Sequence, residues 1–186
     1  MTTKDSLRAQ LKAARSSLSE AQRAAARHAI CRVVLSRCTE LGLPAGTVVA
    51  CYQPLRTEPG SAELLAALHA AGYQVLVPHT LPDRDLDWLA WPAGDERPLG
   101  VDAIAGARLL LVPAYAVDGE GNRLGRGGGS YDRALARVPA STPVAALLFS
   151  GELLSHIPTD PWDRPVTAAV TPTGWHELAS AGRGNT

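Results

Sequence analysis

A run of glycines and arginines between an apolar segment and a helix places the strongest constraint on this chain. The apolar segment, Leu109–Pro113, is typical of a buried strand, and apolar residues at helical spacing predict a short helix over residues 131–138. Between them lies the stretch Arg123–Arg133, which holds four glycines and three arginines. A strand, a glycine-rich loop and a helix in this order are typical of an anion-binding site.

The glycine-rich stretch has the chemistry of a phosphate site. Glycines allow positive φ angles and close approach, so that successive backbone N–H groups can point at one phosphate. Arg123 and Arg126 add full positive charges, and Asp132 supplies an oxygen ligand of the kind that a magnesium ion bridging phosphates requires. The stretch therefore predicts a phosphate site with a metal carboxylate beside it.

Two alternatives stay open for this stretch on its residues alone. Glycine-rich loops are often simply flexible and solvated, and Arg126-Gly127-Gly128 is a tripeptide found in some nucleic-acid-binding segments. The stretch matches neither G-x-x-x-x-G-K-[ST] nor G-x-G-x-x-G, the common nucleotide-binding patterns. It also lacks the G-x-S-x-G of serine hydrolases, because Asp132 stands where the last glycine belongs.

Apolar strands alternate with helices along the rest of the chain. Helices are predicted over residues 5–18, 20–40 and 61–71, and strands over 47–52, 73–77, 109–113, 144–149 and near 166–170. Residues 86–91 predict an antiparallel or edge strand, and residues 102–107 a short helix or a loop. This order predicts a mostly parallel sheet that is covered on both faces. We therefore expect an α/β protein with a single three-layer α/β/α domain over residues 1–179 and a flexible tail over 180–186.

The second predicted helix carries its own start signal and a predicted buried face. Ser19 and Gln22 have the spacing of a capping box at its beginning. Its predicted buried face consists of residues three or four apart: Ala24, His28, Cys31, Leu35 and Cys38. The three cysteines of the chain form no C-x-x-C pair, and since Cys31 and Cys38 lie on this predicted face, we expect these two to pack in the core.

Charge and hydropathy exclude several classes of protein. The formal net charge is zero, which argues against nucleic acid as the main partner. The polar start Met1–Ser6 is unlike a secretory signal, and no apolar run approaches the roughly 18 residues of a membrane span. We therefore expect a soluble, cytoplasmic protein in a reducing compartment, with no membrane partner.

The run Asn122–Arg133 resembles the motif of the 5-formyltetrahydrofolate cyclo-ligases, which are also called methenyltetrahydrofolate synthetases. The family motif extends upstream, and Pro113, Asp118 and Gly121 stand in register with it. Ser130 departs from the motif, which usually has tyrosine at that position. Two further segments resemble the family: its amino-terminal helix in Lys4, Leu7, Arg8, Arg15, Leu18 and Ser19, and its folate-binding segment in Tyr52, Gln53, Pro54, Glu58 and Pro59.

This resemblance implies a fold and a reaction. The fold would be the one shared with ribose-phosphate isomerases and coenzyme A transferases. The reaction would couple ATP hydrolysis, with Mg²⁺, to closure of 5-formyltetrahydrofolate into 5,10-methenyltetrahydrofolate, with release of ADP and phosphate. In the mechanism usually drawn for the family, the formyl oxygen attacks the γ-phosphorus, and N10 then displaces phosphate from the formyl carbon. We expect a monomer whose partner is the small reduced folate, with no nucleic acid.

The resemblance also implies site residues. The ATP site would comprise Lys4, Arg8, Arg123, Leu124, Gly125, Arg126, Gly127, Gly128, Gly129, Ser130 and Tyr131. The folate would contact Gln53, Glu58, Arg126, Gly128 and Ser130, and the metal would bind Asp132 and Asp163. Two residues would be catalytic: Arg126, by neutralising charge near the γ-phosphoryl group, and Glu58, by pairing with adjacent N–H donors of the pterin.

Structural roles that involve no ligand stay open for several of these residues. Lys4 and Arg8 are also compatible with a solvated helix face, and Glu58 and Asp163 with ordinary turn acids. The four tryptophans and Tyr115 could flank a pterin, but aromatic residues are more often core, so none is assigned. Ser130 favours a paralogue that binds nucleotide and acts on another substrate or on none. Thr167 stands where members of the family often carry a further acid, which bears on the details of the metal shell.

Overall fold

The computed structural model describes residues 3–92 and 97–179, so the predicted tail over 180–186 lies outside the described residues. The described helices are α1 (Lys4–Ser17), α2 (Glu20–Glu40), α3 (Ala62–Ala70) and α4 (Ser130–Ala136), with a 3-10 helix at Val101–Gly106. The described strands are β1 (Val48–Ala50), β2 (Gln74–Thr80), β3 (Leu86–Trp91), β4 (Leu109–Pro113), β5 (Ala116–Asp118), β6 (Arg123–Leu124), β7 (Val144–Leu147), β8 (Leu153–Leu154), β9 (Ala168–Thr171) and β10 (Gly174–Glu177).

Seven strands form one central sheet in the order β10-β9-β7-β4-β1-β2-β3. The five strands from β9 to β2 run parallel, with Val49 opposite Val75 on one side and Leu109 on the other. The edge strands β3 and β10 are antiparallel to their neighbours. The mostly parallel sheet and the antiparallel edge strand over residues 86–91 are therefore confirmed.

Helices cover both faces of this sheet. Along the parallel strands, alternate side chains point to opposite faces, as the two-residue period of a strand requires. On one face Val49 and Leu109 pack with α2 and α3, and on the other Leu110 packs with α4 and the 3-10 helix. The three-layer α/β/α arrangement is therefore confirmed. Within the described ranges, no helix combines the length and the apolar character needed to cross a membrane.

The capping box predicted for α2 is present, but its predicted buried face is partly wrong. Ser19 Oγ accepts a hydrogen bond from Gln22 N, and Gln22 Oε1 accepts one from Ser19 N. The buried residues of α2 are Arg23, Ile30, Val34 and Cys38, whereas Ala24 and His28 are exposed. Apolar spacing alone does not place Arg23 on this face, because the residue is charged. Its Nη1 donates to the carbonyl oxygen of Leu18 and its Nη2 to Glu20, while its buried Nε has no partner among the described residues. All three cysteines are free, and Cys31 is only half-buried.

A second, small sheet has the order β6-β5-β8 and was not predicted from the sequence. It packs against α1 through a cluster that includes Leu11, Ala116, Leu124 and Ile157. The turn from β5 to β6 requires Gly121, which has φ +84°, because a Cβ there would lie 2.3 Å from the carbonyl oxygen of Val166. This sheet brings α1 beside the glycine-rich stretch, which begins in β6.

Candidate active site

A cleft of about 520 Å³ opens where β1, β2 and β4 end at their carboxyl edge, the usual position of ligand sites in parallel α/β sheets. Its walls come from α1, the segment after β1, the glycine-rich stretch and the segment before β9. It is lined by every residue predicted above for ATP, folate or metal: Lys4, Arg8, Gln53, Glu58, the stretch from Arg123 to Asp132, and Asp163. The fold thus brings together segments that are as much as 159 positions apart in the sequence.

The glycine-rich loop lies against two arginine side chains. Gly127 and Gly129 have φ of +93° and +69°, values that favour glycine. A Cβ on Gly125 would lie 2.6 Å from Nη1 of Arg123, and one on Gly127 would lie 3.4 Å from Cζ of Arg8. The absence of side chains therefore lets the loop backbone pack directly on the guanidinium groups.

Arg126 differs from the other cations of the cleft. Its side chain is exposed and lines the cleft, and no hydrogen bond or ion pair joins it to the residues that the structure describes. A guanidinium that is not committed to a carboxylate is available to an anionic ligand.

Arg123, in contrast, forms an ion pair with Asp132. It is 8% exposed, its Nη2 donates to Asp132 Oδ1 at 2.9 Å, and its Cζ lies 5.8 Å from the centre of the Tyr131 ring. The same Asp132 oxygen accepts the backbone N–H of Arg164 at 3.1 Å. Arg123 thus fixes the orientation of the Asp132 carboxylate at the start of α4.

Lys4 is held between two carboxylates. Its Nζ lies 2.5 Å from Oδ2 of Asp163 and 2.6 Å from Oδ2 of Asp160. Burial opposes the charge on Lys4, but the hydrogen bonds to both carboxylates outweigh it, so the pKa of Lys4 is raised. Asp160 was missed at the sequence level, although its position three residues before Asp163 is suited to a shared turn.

Arg8 and Arg15 position α1 over the cleft. Arg8 Nε donates to the carbonyl oxygen of Gly125 at 2.9 Å, and Arg8 Nη1 pairs with Asp5 at 2.5 Å. Two turns further along, the buried Arg15 binds Glu152 through two hydrogen bonds of 2.6 and 2.8 Å. Since Glu152 follows β7, this pair joins the helix that carries Lys4 and Arg8 to the central sheet.

Glu58 is oriented by its own turn on the other side of the cleft. It is 7% exposed, and its Oε2 accepts the backbone N–H of Leu55 at 2.8 Å. Beside it, Tyr52 Oη accepts the N–H of Gly60 at 3.1 Å. Burial first, and the charge of Glu58 second, raise the pKa of Tyr52, so this phenol stays protonated. Gln53 is exposed at the mouth of the cleft.

Asp132 and Asp163 retain oxygens of the kind that Mg²⁺ prefers. In each carboxylate, only one oxygen accepts hydrogen bonds from the described residues, Oδ1 in Asp132 and Oδ2 in Asp163. The described residues contain no cluster of three or more His, Cys, Asp or Glu side chains suited to a metal. Each of the two carboxylates therefore keeps one oxygen without a hydrogen bond from the described residues, which is the donor type that a hard cation takes alongside phosphate oxygens and water.

Thr167 does not belong to this site. It does not line the cleft, and its Oγ1 accepts the N–H of Val144 at 2.9 Å and donates to the carbonyl oxygen of the same residue at 3.1 Å. The Thr167 hydroxyl therefore joins the residue before β9 to Val144, the first residue of β7.

Comparison with known proteins identifies the family of the chain. The sequence matches the 5-formyltetrahydrofolate cyclo-ligase family over residues 1–172. A 5-formyltetrahydrofolate cyclo-ligase of Mycolicibacterium smegmatis is 38% identical over 144 residues, which are 68% of this chain and 74% of that protein. The solved structure of a 5,10-methenyltetrahydrofolate synthetase from Mycoplasma pneumoniae matches with a TM-score of 0.77 at 20% identity, covering 91% of this chain and 98% of that one. That of a 5,10-methenyltetrahydrofolate synthetase from Aquifex aeolicus matches with a TM-score of 0.69 at 25% identity, covering 98% and 96%. The chain belongs to the 5-formyltetrahydrofolate cyclo-ligase family.

Proposed function

We propose that this enzyme converts 5-formyltetrahydrofolate into 5,10-methenyltetrahydrofolate, consuming ATP in the presence of Mg²⁺ and releasing ADP and phosphate. The observation that carries the proposal is one cleft that is lined on one side by the glycine-rich loop with Arg126, which has no partner among the described residues, and on the other side by Gln53 and Glu58. Both halves of a two-substrate reaction thus have residues of suitable chemistry in one cavity, whose size is within the usual range for small-molecule sites.

The chemical difficulty is that an N-formyl oxygen is a poor leaving group. Transfer of the γ-phosphoryl group from ATP to this oxygen forms an O–P bond and releases ADP. N10 of the folate then attacks the formyl carbon, the new C–N bond forms, and the oxygen leaves as phosphate while N10 loses its proton. The enzyme's task is to hold the two substrates in line and to stabilise the charge that develops on the transferring group.

Arg126 suits this task because its guanidinium has no hydrogen bond or ion pair with any residue that the structure describes. We assign it to the γ-phosphoryl oxygens, with the loop backbone from Gly125 to Gly129 around the remaining phosphates and Lys4 and Arg8 at the nucleotide. Glu58 would accept hydrogen bonds from adjacent N–H donors of the pterin, for which its fixed carboxylate is suited, and Gln53 would contact the same substrate.

Asp132 and Asp163 are the residues we assign to Mg²⁺. When bound with the nucleotide, the ion would offset phosphate charge. The contribution of the chain is to hold each carboxylate in place, through Arg123 and the Arg164 N–H for Asp132 and through Lys4 and the Asp160 N–H for Asp163.

We also infer a cytoplasmic enzyme that works as a monomer on its reduced folate, without nucleic acid. The three free cysteines support a reducing compartment. Size-exclusion chromatography with light scattering tests the monomer, and a gel shift at physiological salt tests the absence of nucleic-acid binding.

The decisive experiment follows the absorbance of the methenyl product after mixing purified enzyme, 5-formyltetrahydrofolate and MgATP. Product should form with the complete mixture and be absent without ATP or after complete chelation of divalent metal. Arg126→Ala should lower turnover by about a hundredfold or more, because a phosphate-contacting arginine acts mainly on the transition state. Arg32→Ala, an exposed arginine of α2 outside the cleft, is the matched control and should leave turnover unchanged.

A second candidate function rests on Ser130, which lines the cleft where the family usually has tyrosine. The enzyme would then be a cyclo-ligase-like protein that binds nucleotide and acts on another substrate or on none. Nucleotide binding without formation of the methenyl product, and without folate-dependent consumption of ATP, would favour this candidate over the first.

A further inference from the structure

A four-residue turn, Asp160–Asp163, projects into the cleft from the segment before β9. The backbone N–H of Asp163 donates to the carbonyl oxygen of Asp160 at 3.0 Å, and the N–H of Asp160 donates back to Asp163 Oδ2 at 2.8 Å. Pro161 occupies the second position, where its ring fixes φ. The turn is therefore closed by hydrogen bonds in both directions and has a restricted backbone.

The same turn is tied to two other walls of the cleft. Lys4 of α1 contacts the carboxylates of both Asp160 and Asp163. The next backbone N–H, that of Arg164, donates to Asp132 at the start of α4. The tip of the turn is therefore held in a fixed position relative to the residues assigned to the nucleotide and the metal.

Trp162 stands at this tip and is 69% exposed, the most exposed large hydrophobic residue of the described chain. Its side chain lines the cleft, and the described residues offer it no hydrogen bond and no ring contact. Core packing therefore does not account for an indole at this position. An aromatic ring on a rigid support provides a large contact area at a small cost in conformational entropy, which is the property of a stacking surface.

We infer that Trp162 is the surface on which the flat base of the nucleotide stacks, an assignment that rests on the proposed use of ATP. Both the adenine base and the rings of the folate are planar and could stack on an indole. The base is favoured because the turn is bound to Lys4 and Asp132, whereas none of the hydrogen bonds of Glu58 involves the turn. Trp162 is thus a specificity residue for the purine end of the nucleotide, separate from the loop that takes the phosphates.

The test compares ligands that share phosphates but differ in the base. Calorimetric dissociation constants are measured for ADP, for inorganic tripolyphosphate and for 5-formyltetrahydrofolate, each with Mg²⁺, on the parent enzyme and on Trp162→Ala and Trp162→Phe. Trp162→Ala should weaken ADP binding by about five- to 150-fold, the range for loss of one base–aromatic stack, and leave tripolyphosphate and folate unchanged. Trp162→Phe keeps an aromatic face and should recover most of the ADP affinity.

Leu99→Ala is the matched control, because Leu99 is an exposed apolar residue outside the cleft and its loss should change none of the three constants. Equal weakening of ADP and tripolyphosphate by Trp162→Ala would overturn the inference, since the turn would then serve the phosphates. Weaker binding of 5-formyltetrahydrofolate with unchanged binding of ADP would also overturn it, because the indole would then contact the folate. If the parent enzyme binds folate but no nucleotide at all, the proposed function itself fails, and that result is distinct from a change in the variants alone.

Discussion

Replacing Arg15 with methionine removes the positive partner of a buried ion pair and leaves Glu152 in the protein interior. The two side chains are 4% and 6% exposed, and Arg15 also donates to the carbonyl oxygen of Ala114 at 2.5 Å. Methionine keeps much of the aliphatic stem, so the change acts mainly on charge and hydrogen bonding. Glu152 would retain only the backbone N–H of Phe149 as a partner among the described residues.

The expected cost follows from this burial. Removing one partner of a buried pair typically lowers the free energy of unfolding by about 3–5 kcal/mol, because the remaining charge is desolvated without compensation. That is a large part of the roughly 5–15 kcal/mol that stabilises an ordinary domain. For a chain of this length it corresponds to a fall in Tm of roughly 6–20 °C. Urea unfolding followed by far-UV circular dichroism measures the change directly.

Two further variants make the reasoning refutable. Arg15→Met combined with Glu152→Leu removes both charges and should restore most of the lost stability, since an apolar pair of similar volume replaces a buried ion pair at little cost. Glu40→Gln breaks an exposed pair with Arg37 and should cost less than about 1 kcal/mol. A loss below about 1 kcal/mol for Arg15→Met, or a double variant no more stable than the single one, would show that the pair is not the anchor of α1.

Four other substitutions probe the site and the fold. Glu58→Gln should weaken folate binding and spare ATP, whereas Lys4→Ala should do the reverse, and separate binding isotherms for each ligand would refute the assignment if the effects were exchanged. Gly125→Ala should slow turnover with little change in Tm. The new Cβ would lie 2.6 Å from Nη1 of Arg123 and would displace the end of that side chain. Unchanged kinetics would contradict this packing. The hydrogen bonds from Arg137 lower the pKa of Asp85, so the stability they add is present above about pH 4 and is lost as the pH falls through the lowered pKa. Asp85→Asn should therefore flatten the acid side of the stability profile, measured as Tm against pH.

The main elements of the fold could be predicted because each contains enough residues to show a period. Helices α1 and α2 and the strands of the parallel sheet have apolar spacings that extend over several positions. Strands β5, β6 and β8 hold two or three residues each and are defined only by pairing with partners elsewhere in the chain. Such short strands show no local sequence pattern, so the small sheet that carries the start of the glycine-rich loop could not be predicted from the spacing of apolar residues. That residues 1–179 form a single domain stays a prediction.

The residues of the candidate site could be named from motifs, but their partners could not. The family resemblance predicts Lys4 for the nucleotide and Asp163 for the metal, while the structure adds that the two contact each other, together with Asp160, across more than 150 positions. The sequence presents Trp162 only as one of several aromatic residues that could flank a ligand, because its exposure and the rigidity of its turn are consequences of tertiary contacts. Ion pairs of this kind depend on which segments meet in space, which a single sequence does not record.

The pairing of charges in the cleft bears on how a nucleotide would enter it. Four cationic side chains and four carboxylates line the cleft, so its formal charge is zero even though the predicted phosphate residues are basic. Lys4, Arg8 and Arg123 each contact an aspartate, which leaves Arg126 as the cation without a partner among the described residues. A polyphosphate entering alone would meet carboxylates as well as cations, and exchanging their ion pairs would cost desolvation. Under the proposed reaction we therefore expect the nucleotide to bind together with Mg²⁺, because the ion would offset part of the phosphate charge and give Asp132 and Asp163 a cation to contact.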